Sequence, residues 1–243
     1  MDSGSVFLSD RVETIVLGAT WYGCGLAFSA GENTLVLERS IVPGQEFSLA
    51  LEPGNNWDAP LASPEAAALR AELIRRNALT QGIVQHAALT PILSQWCLQK
   101  GLSILFTCDV LKVSANAVEF QAVDGLHKVA CDRVLFAEPV PLDGRKYLSV
   151  LLREPEGTAL PPGADCPGFR LFPQVVPDRL LWQLELDAAT PWEEARRIML
   201  AKWAQRPEAL RKWSILFSAS EFSYRNDDNP FTALDRGIRE GAK

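Results

Sequence analysis

A strand, a glycine-marked turn, a helix and a second strand ending in an acid follow one another between Thr14 and Arg39. No other segment constrains the fold as tightly. Thr14-Ile15-Val16-Leu17 reads as a short apolar strand. Gly18-Ala19-Thr20-Trp21-Tyr22-Gly23 turns into a helix that continues through Cys24-Gly25-Leu26-Ala27, and Thr34-Leu35-Val36-Leu37-Glu38-Arg39 closes the unit. Gly18 makes the tight turn out of the strand, and Gly23 lets the helix pack closely on the sheet. The helix N-terminus between them offers backbone N–H groups and a partial positive charge to a pyrophosphate. Glu38 lies where an acid bonds a ribose hydroxyl. Thr20 stands in place of the middle glycine; its β-carbon crowds the phosphates while its hydroxyl offers a donor. Turn, helix and acid together favour a nucleotide site over a plain structural βαβ unit.

The surrounding composition is that of a globular chain with one or two lobes. Of 243 residues, 47% are apolar, enough for a sizeable core, and no apolar run approaches a membrane span. The net charge of -6 argues against nucleic acid or an anionic membrane as a partner. The first five residues carry an acid and no basic, apolar leader, so a cytoplasmic location is expected. Five cysteines (Cys24, Cys97, Cys108, Cys131 and Cys166) form no C-x-x-C pair, which suits free buried thiols. Two histidines, His86 and His127, supply no metal-ligand spacing.

Residues 41–62, with three prolines and two glycines, predict a long loop. Ser63-Pro64-Glu65 opens a helix to about Asn77. A second helix is expected over 86–100, its start delayed by Pro91 and its end set by Gly101. Residues 103–107 read as a buried strand; 110–115, 117–123 and 127–130 read as an antiparallel meander with a turn at Asp124-Gly125. Residues 133–137 form a further strand.

This order resembles flavoprotein oxidoreductases of the glutathione-reductase type over residues 13–139. The resemblance implies an α/β fold: a Rossmann-like FAD/NAD(P)-binding domain with a β-meander, and a second, smaller α+β lobe. It implies FAD, with its pyrophosphate over Gly18, Thr20, Trp21, Tyr22 and Gly23, its ribose on Glu38 and its adenine near Arg39. Gln45, Glu46 and Phe47 fall where a glycine pair often nears the flavin. Val110 falls where backbone contacts adenine, and Ala137 where an Ala-Thr-Gly segment lies beside the nucleotide. The implied domains are 13–139 for FAD, 140–225 for a substrate or cap lobe, and 226–243 for a returning segment. In that segment Asp228 and Asn229 stand where a Gly-Asp pair would hold the ribityl chain.

The second lobe shows strand candidates at 146–153, 169–176 and 180–186, with a loop over 155–168. Thr190-Pro191-Trp192-Glu193 reads as a capping box opening a helix to about Ala204. Residues from Pro207 form a short helix, and 213–219 a strand. Asn229 and Pro230 suit the start of a last helix. Trp182, Trp192, Trp203 and Trp213 read first as packed core and second as a chamber lining.

No catalytic residue stands out. His86 is a proton-transfer candidate, although a lone histidine at a helix start is more often a cap or surface residue. Cys24 reads as a small packing residue. Glu52, Asn55, Asn56 and Trp57 sit in the long loop, where polar groups can face a ligand. Three readings stand. The first is an FAD-dependent oxidoreductase acting on a small organic substrate, as a homo-oligomer or one subunit of a larger assembly. The second is a non-catalytic accessory subunit retaining the nucleotide-binding fold. The third is an NAD-dependent enzyme.

Overall fold

The computed structural model describes residues 10–141, 143–154, 166 and 168–242. The first part of the chain forms β1 (Thr14–Leu17), α1 (Trp21–Ala30), β2 (Thr34–Leu37), the short α2 (Gln45–Ser48) and α3 (Pro64–Arg75). Then come the small hairpin β3 (Leu79–Thr80) and β4 (Ile83–Val84), a 3-10 turn at His86–Ala88, and α4 (Leu89–Gln99). Strands β5 (Ser103–Leu105), β6 (Asp109–Ser114), β7 (Ala117–Ala122), β8 (Gly125–Ala130) and β9 (Arg133–Phe136) follow. The remainder holds β10 (Arg145–Arg153), β11 (Arg170–Pro173), β12 (Arg179–Asp187), α5 (Trp192–Ala204), a 3-10 turn at Glu208–Leu210, β13 (Ser214–Ser218) and α6 (Pro230–Gly241).

The chain divides into two compact units. The first takes residues up to Pro43, Leu93–Glu138 and the segment from Ala233; the second takes Gly44–Ile92 and Pro139–Thr232.

In the first unit β5, β2, β1 and β9 form a parallel sheet in that order. Its central strands β1 and β2 are buried throughout, as continuous apolar runs demand when both faces are covered. Helix α1 connects these two strands. It is buried nearly all round, through Trp21, Gly23, Cys24, Gly25, Leu26 and Ala27, because α6 lies against it. A β-carbon at Gly25 would stand 2.4 Å from Leu234 O, and one at Gly237 only 2.1 Å from Tyr22 O. Such a separation is possible only between glycine faces. Ser29 Oγ donates to Ile238 O at 2.6 Å, and Tyr22 OH to Glu240 at 2.7 Å, across the same seam. The antiparallel meander β6-β7-β8 packs Val118, Phe120 and Val129 onto Ile15, Leu17, Leu35 and Leu37.

In the second unit an antiparallel sheet runs β11-β12-β10-β13. Alternation sends Leu148, Val150 and Leu152 to one face, where they meet Ala195 and Met199 of α5. Trp182 and Trp213 are buried in that core, with Trp192 and Trp203 packed against it; Trp182 and Trp203 stack at 5.8 Å. The packed-core reading of these tryptophans is what the structure shows.

Several local expectations are corrected. The meander hairpin pairs Ala122 with Gly125, so its two-residue loop is Val123-Asp124, and Gly125 (φ +137°) already belongs to β8. The capping box at Thr190 does not form. Pro191, with extended backbone, is itself the N-cap of α5, and no side chain caps the helix. The helix expected from residue 86 starts late, as α4 at Leu89 after the 3-10 turn, with Pro91 in its first turn, where its missing N–H has no intrahelical role. The 41–62 loop contains α2, and the β3–β4 hairpin lies where no strand was expected. His86 is neither a cap nor a surface residue, being 7% exposed. The loop expected over 155–168 and the first five residues lie almost wholly outside the described residues.

Candidate functional site

In the first unit the strand ends of the parallel sheet meet the N-terminus of α1. Gly18, at φ +102°, donates its N–H to Leu37 O at 2.8 Å, and this brings the β1–α1 turn over the end of β2. A β-carbon on Gly18 would meet Glu138 N at 3.0 Å and Ala137 C at 3.1 Å. One on Gly23 would stand 2.0 Å from Gly18 O. Both glycines are therefore required by close backbone approach, as the motif predicts.

Thr20 is the N-cap of α1. Its Oγ1 accepts from Gly23 N at 2.9 Å and donates to Ala137 O at 3.0 Å. A hydroxyl has one proton, and here Ala137 receives it, so Thr20 does not act as the phosphate donor that its type suggested. Glu38 is fully buried. Its Oε2 accepts from Ala19 N and its Oε1 from Ser40 N, both at 2.6 Å. Burial pushes the carboxyl pKa up, while the Ser40 and Ala19 amides and the Arg39 charge pull it back.

The structure thus brings Gly18, Thr20, Gly23, Glu38 and Ala137 together, with Trp21 fully buried at the first position of α1. Tyr22 faces α6, its ring under the Arg236 guanidinium at 3.9 Å. Arg39 is exposed. Cys108 N donates to Glu38 O at 2.9 Å, which carries the chain past Glu38 into β6, where Val110 is half-buried against Phe120.

In the second unit Gly44, at φ +71°, precedes α2. Gln45 and Phe47 are buried there, and the side-chain oxygen of Gln45 has no hydrogen-bond partner. Asp228 is exposed; its carbonyl accepts from Asn55 N at 2.6 Å and its carboxylate from Asn56 Nδ2 at 3.1 Å. Asn229 uses its whole amide. Oδ1 accepts from Phe231 N and Thr232 N at the start of α6, and Nδ2 donates to Asn55 O and Asn56 O.

The second unit also carries a buried polar group. Glu52 lies with its carboxylate 3.5 Å from Gln183 Nε2 and 3.9 Å from Arg225 Nε. Arg225, at φ +53°, also donates to Gln183 Oε1 and stacks on the Tyr147 ring at 3.9 Å. Burial drives the Glu52 pKa up to about 7; the Arg225 charge, Gln183 and Gly54 limit the rise. His86 Nε2 donates to Glu52 O at 2.9 Å, since a carbonyl only accepts. Burial lowers the His86 pKa and keeps the ring neutral. Glu52 and His86 were visible as candidates in sequence. Gln183 and Arg225 were not; the one signal was a polar residue inside the apolar β12. Among the described residues no group of three metal-ligating side chains exists, and no helix is long and apolar enough to cross a membrane.

No family model matches this chain, and no curated protein does. Solved structures do. The OxyS anhydrotetracycline hydroxylase from Streptomyces rimosus superposes with a TM-score of 0.61 at 18% identity, over 96% of this chain and 61% of its own. The myxobacterial chondrochloren halogenase CndH, a variant of FAD-dependent halogenases, gives 0.56 at 16% identity, over 88% and 63%. Aklavinone-11 hydroxylase, solved with FAD and aklavinone, gives 0.55 at 18%, over 87% and 53%. The chain therefore has the mixed α/β fold of FAD-dependent hydroxylases and halogenases, and spans about three-fifths of the first of these.

Proposed function

We propose that this chain binds FAD through the first unit and acts as an FAD-dependent oxidoreductase on a small organic substrate. The observation that carries the reading is the Gly18 turn closed over Glu38 at the ends of parallel strands. Glu38 stands where the motif puts the ribose-binding acid, its buried carboxylate held by the Ala19 and Ser40 amides. A β-carbon at Gly18 would meet the backbone of Ala137 and Glu138, so this turn needs a glycine for the end of β9 to pack against it.

On this reading the unit is a Rossmann-like domain, and the chain belongs to the wider glutathione-reductase-type superfamily, working in the cytoplasm. By the resemblance Gly18, Thr20, Trp21, Tyr22 and Gly23 border the phosphates, with the Gly18 N–H held by Leu37 O and the Gly23 N–H by Thr20 Oγ1; Glu38 orients the ribose, and Arg39, Val110 and Ala137 border the nucleotide. Gln45, Glu46, Phe47 and Asp228, which the superfamily resemblance also implies, lie in the second unit. Asn229 acts by pinning residues 55 and 56, since its own amide is fully engaged. When bound, FAD supplies the redox chemistry.

A second reading is favoured by one observation. Thr20 and Glu38, the groups expected to meet the ligand, already bond within the turn, as in an accessory subunit that keeps the fold without the cofactor. The visible spectrum of the purified protein, followed by release of any chromophore and titration with added FAD, separates the two. Stoichiometric FAD lost in Glu38→Gln supports the oxidoreductase. A colourless protein that takes up no FAD supports the accessory subunit, and its partner is the next object.

A further inference from the structure

Two thiols from distant segments meet inside the first unit. Cys24 stands on α1 and Cys97 on α4, 73 residues apart in sequence, and their sulfurs lie 3.7 Å apart. The Cys97 S–H donates to Cys24 Sγ, and the Cys24 S–H donates to Ala19 O at 3.6 Å. One turn along α1, the Phe28 ring meets the Trp96 ring at 5.4 Å and the Lys100 ammonium at 5.0 Å. The pair therefore sits in a packed seam between two helices, which holds the sulfurs together before any reaction.

A disulfide is about 2.0 Å long, so the sulfurs have to close by about 1.7 Å, a movement that rotation of the two side chains supplies. Cys24 is fully buried and Cys97 is 4% exposed, so a small oxidant meets Cys97 first. The other thiols of this unit are poorer targets. Burial pushes Cys108 up to about 11 and raises Cys131 as well, which keeps both protonated.

We propose that Cys24 and Cys97 form a reversible disulfide when the chain meets hydrogen peroxide, which makes this seam a redox modification site. The Cys97 thiolate attacks one peroxide oxygen and breaks the O–O bond; the departing hydroxide takes up the thiol proton and leaves as water. Cys24 attacks the sulfenic sulfur so formed, the S–S bond closes, and the sulfenic oxygen leaves as a second water with the Cys24 proton. Two electrons pass from the sulfurs to the peroxide. This site goes beyond the oxidoreductase reading and holds with or without FAD.

The test is to treat the whole chain, reduced and desalted, with hydrogen peroxide and to count its thiols in guanidinium. The expected result is a fall from five to three, a proteolytic fragment joining Cys24 to Cys97, and recovery of all five with dithiothreitol. Cys97→Ala and Cys24→Ala should each keep their four remaining thiols under the same treatment. Cys97→Ala alone suffices if the fully buried Cys24 does not tolerate replacement. The oxidised chain should melt roughly 10 °C higher, since the bond closes a loop of 73 residues in the unfolded chain. No thiol loss, a link through another cysteine or between chains, loss that dithiothreitol does not reverse, or equal loss in Cys97→Ala would overturn the proposal. So would a melting midpoint that fails to rise, which would show that the bond forms only in opened molecules.

Discussion

The Thr20 hydroxyl bonds the carbonyl of Ala137 at 3.0 Å while its oxygen caps the amide of Gly23 at 2.9 Å. One side chain therefore ties the end of β9 to the first turn of α1. In doing so it occupies the place that a glycine would leave to a phosphate. Thr20→Gly is expected to cost about 1 kcal/mol of stability through the lost bond and cap. It should raise FAD affinity about tenfold, or ~1.4 kcal/mol. Urea melts and quenching of flavin fluorescence measure the two effects. Equal affinity in both proteins would show that Thr20 is no obstacle.

The α1–α6 seam tolerates no added carbon. Gly237→Ala would place its β-carbon 2.1 Å from the Tyr22 carbonyl, so backbone must move. A loss of about 3 kcal/mol is expected. Gly101→Ala is the control. It has open space around it but a φ of +67°, and should lose only about 1 kcal/mol. Equal losses would mean that the seam is looser than drawn.

Glu52 gives a pH dependence whose sign is opposite to that of an ordinary paired carboxylate. Its folded pKa, about 7, lies above its ordinary 4.5, so the folded chain holds the proton that the unfolded chain releases. Its contribution is full below pH 4.5 and is lost as pH rises to 7, by about 3 kcal/mol in all. Glu52→Gln should flatten the stability profile across that window. A variant that keeps the same slope would place the titration elsewhere.

All five thiols are buried, and burial also pushes the Cys108 pKa up to about 11. The thiolate is the reactive form, so a disulfide reagent at pH 8 should label less than one thiol per native chain. All five should react in 6 M guanidinium. Rapid native labelling would show that the buried thiols open on the time scale of the assay.

The βαβ run was legible because its information is local: two apolar strands, two glycines and an acid within 26 residues. The meander was legible through its alternation. Gly25, Gly237 and Gly241 gave no such signal. Each reads as an ordinary helical glycine until α6 is laid on α1, and their pairing spans most of the chain. Glu52 drew notice as a polar residue in a loop, but its partners Gln183 and Arg225 come from distant segments. His86 looked like a helix-start histidine because sequence spacing says nothing of the Glu52 carbonyl that its ring reaches. The Thr20 hydroxyl was legible as a donor. Its acceptor, Ala137, lies 117 residues on and was not.

The glycine seam also orders events during synthesis. α1 leaves the ribosome some 200 residues before α6, the helix that covers its outer face. At about 5–20 residues per second the nascent chain spends roughly 10–40 s with that face bare. For that interval Tyr22, Leu26 and the glycine faces beside them are open to chaperones or to other nascent chains, and the Gly18 turn sits on a helix with one side unsupported. The first unit, begun by the earliest described strand, is closed only once α6 has been made.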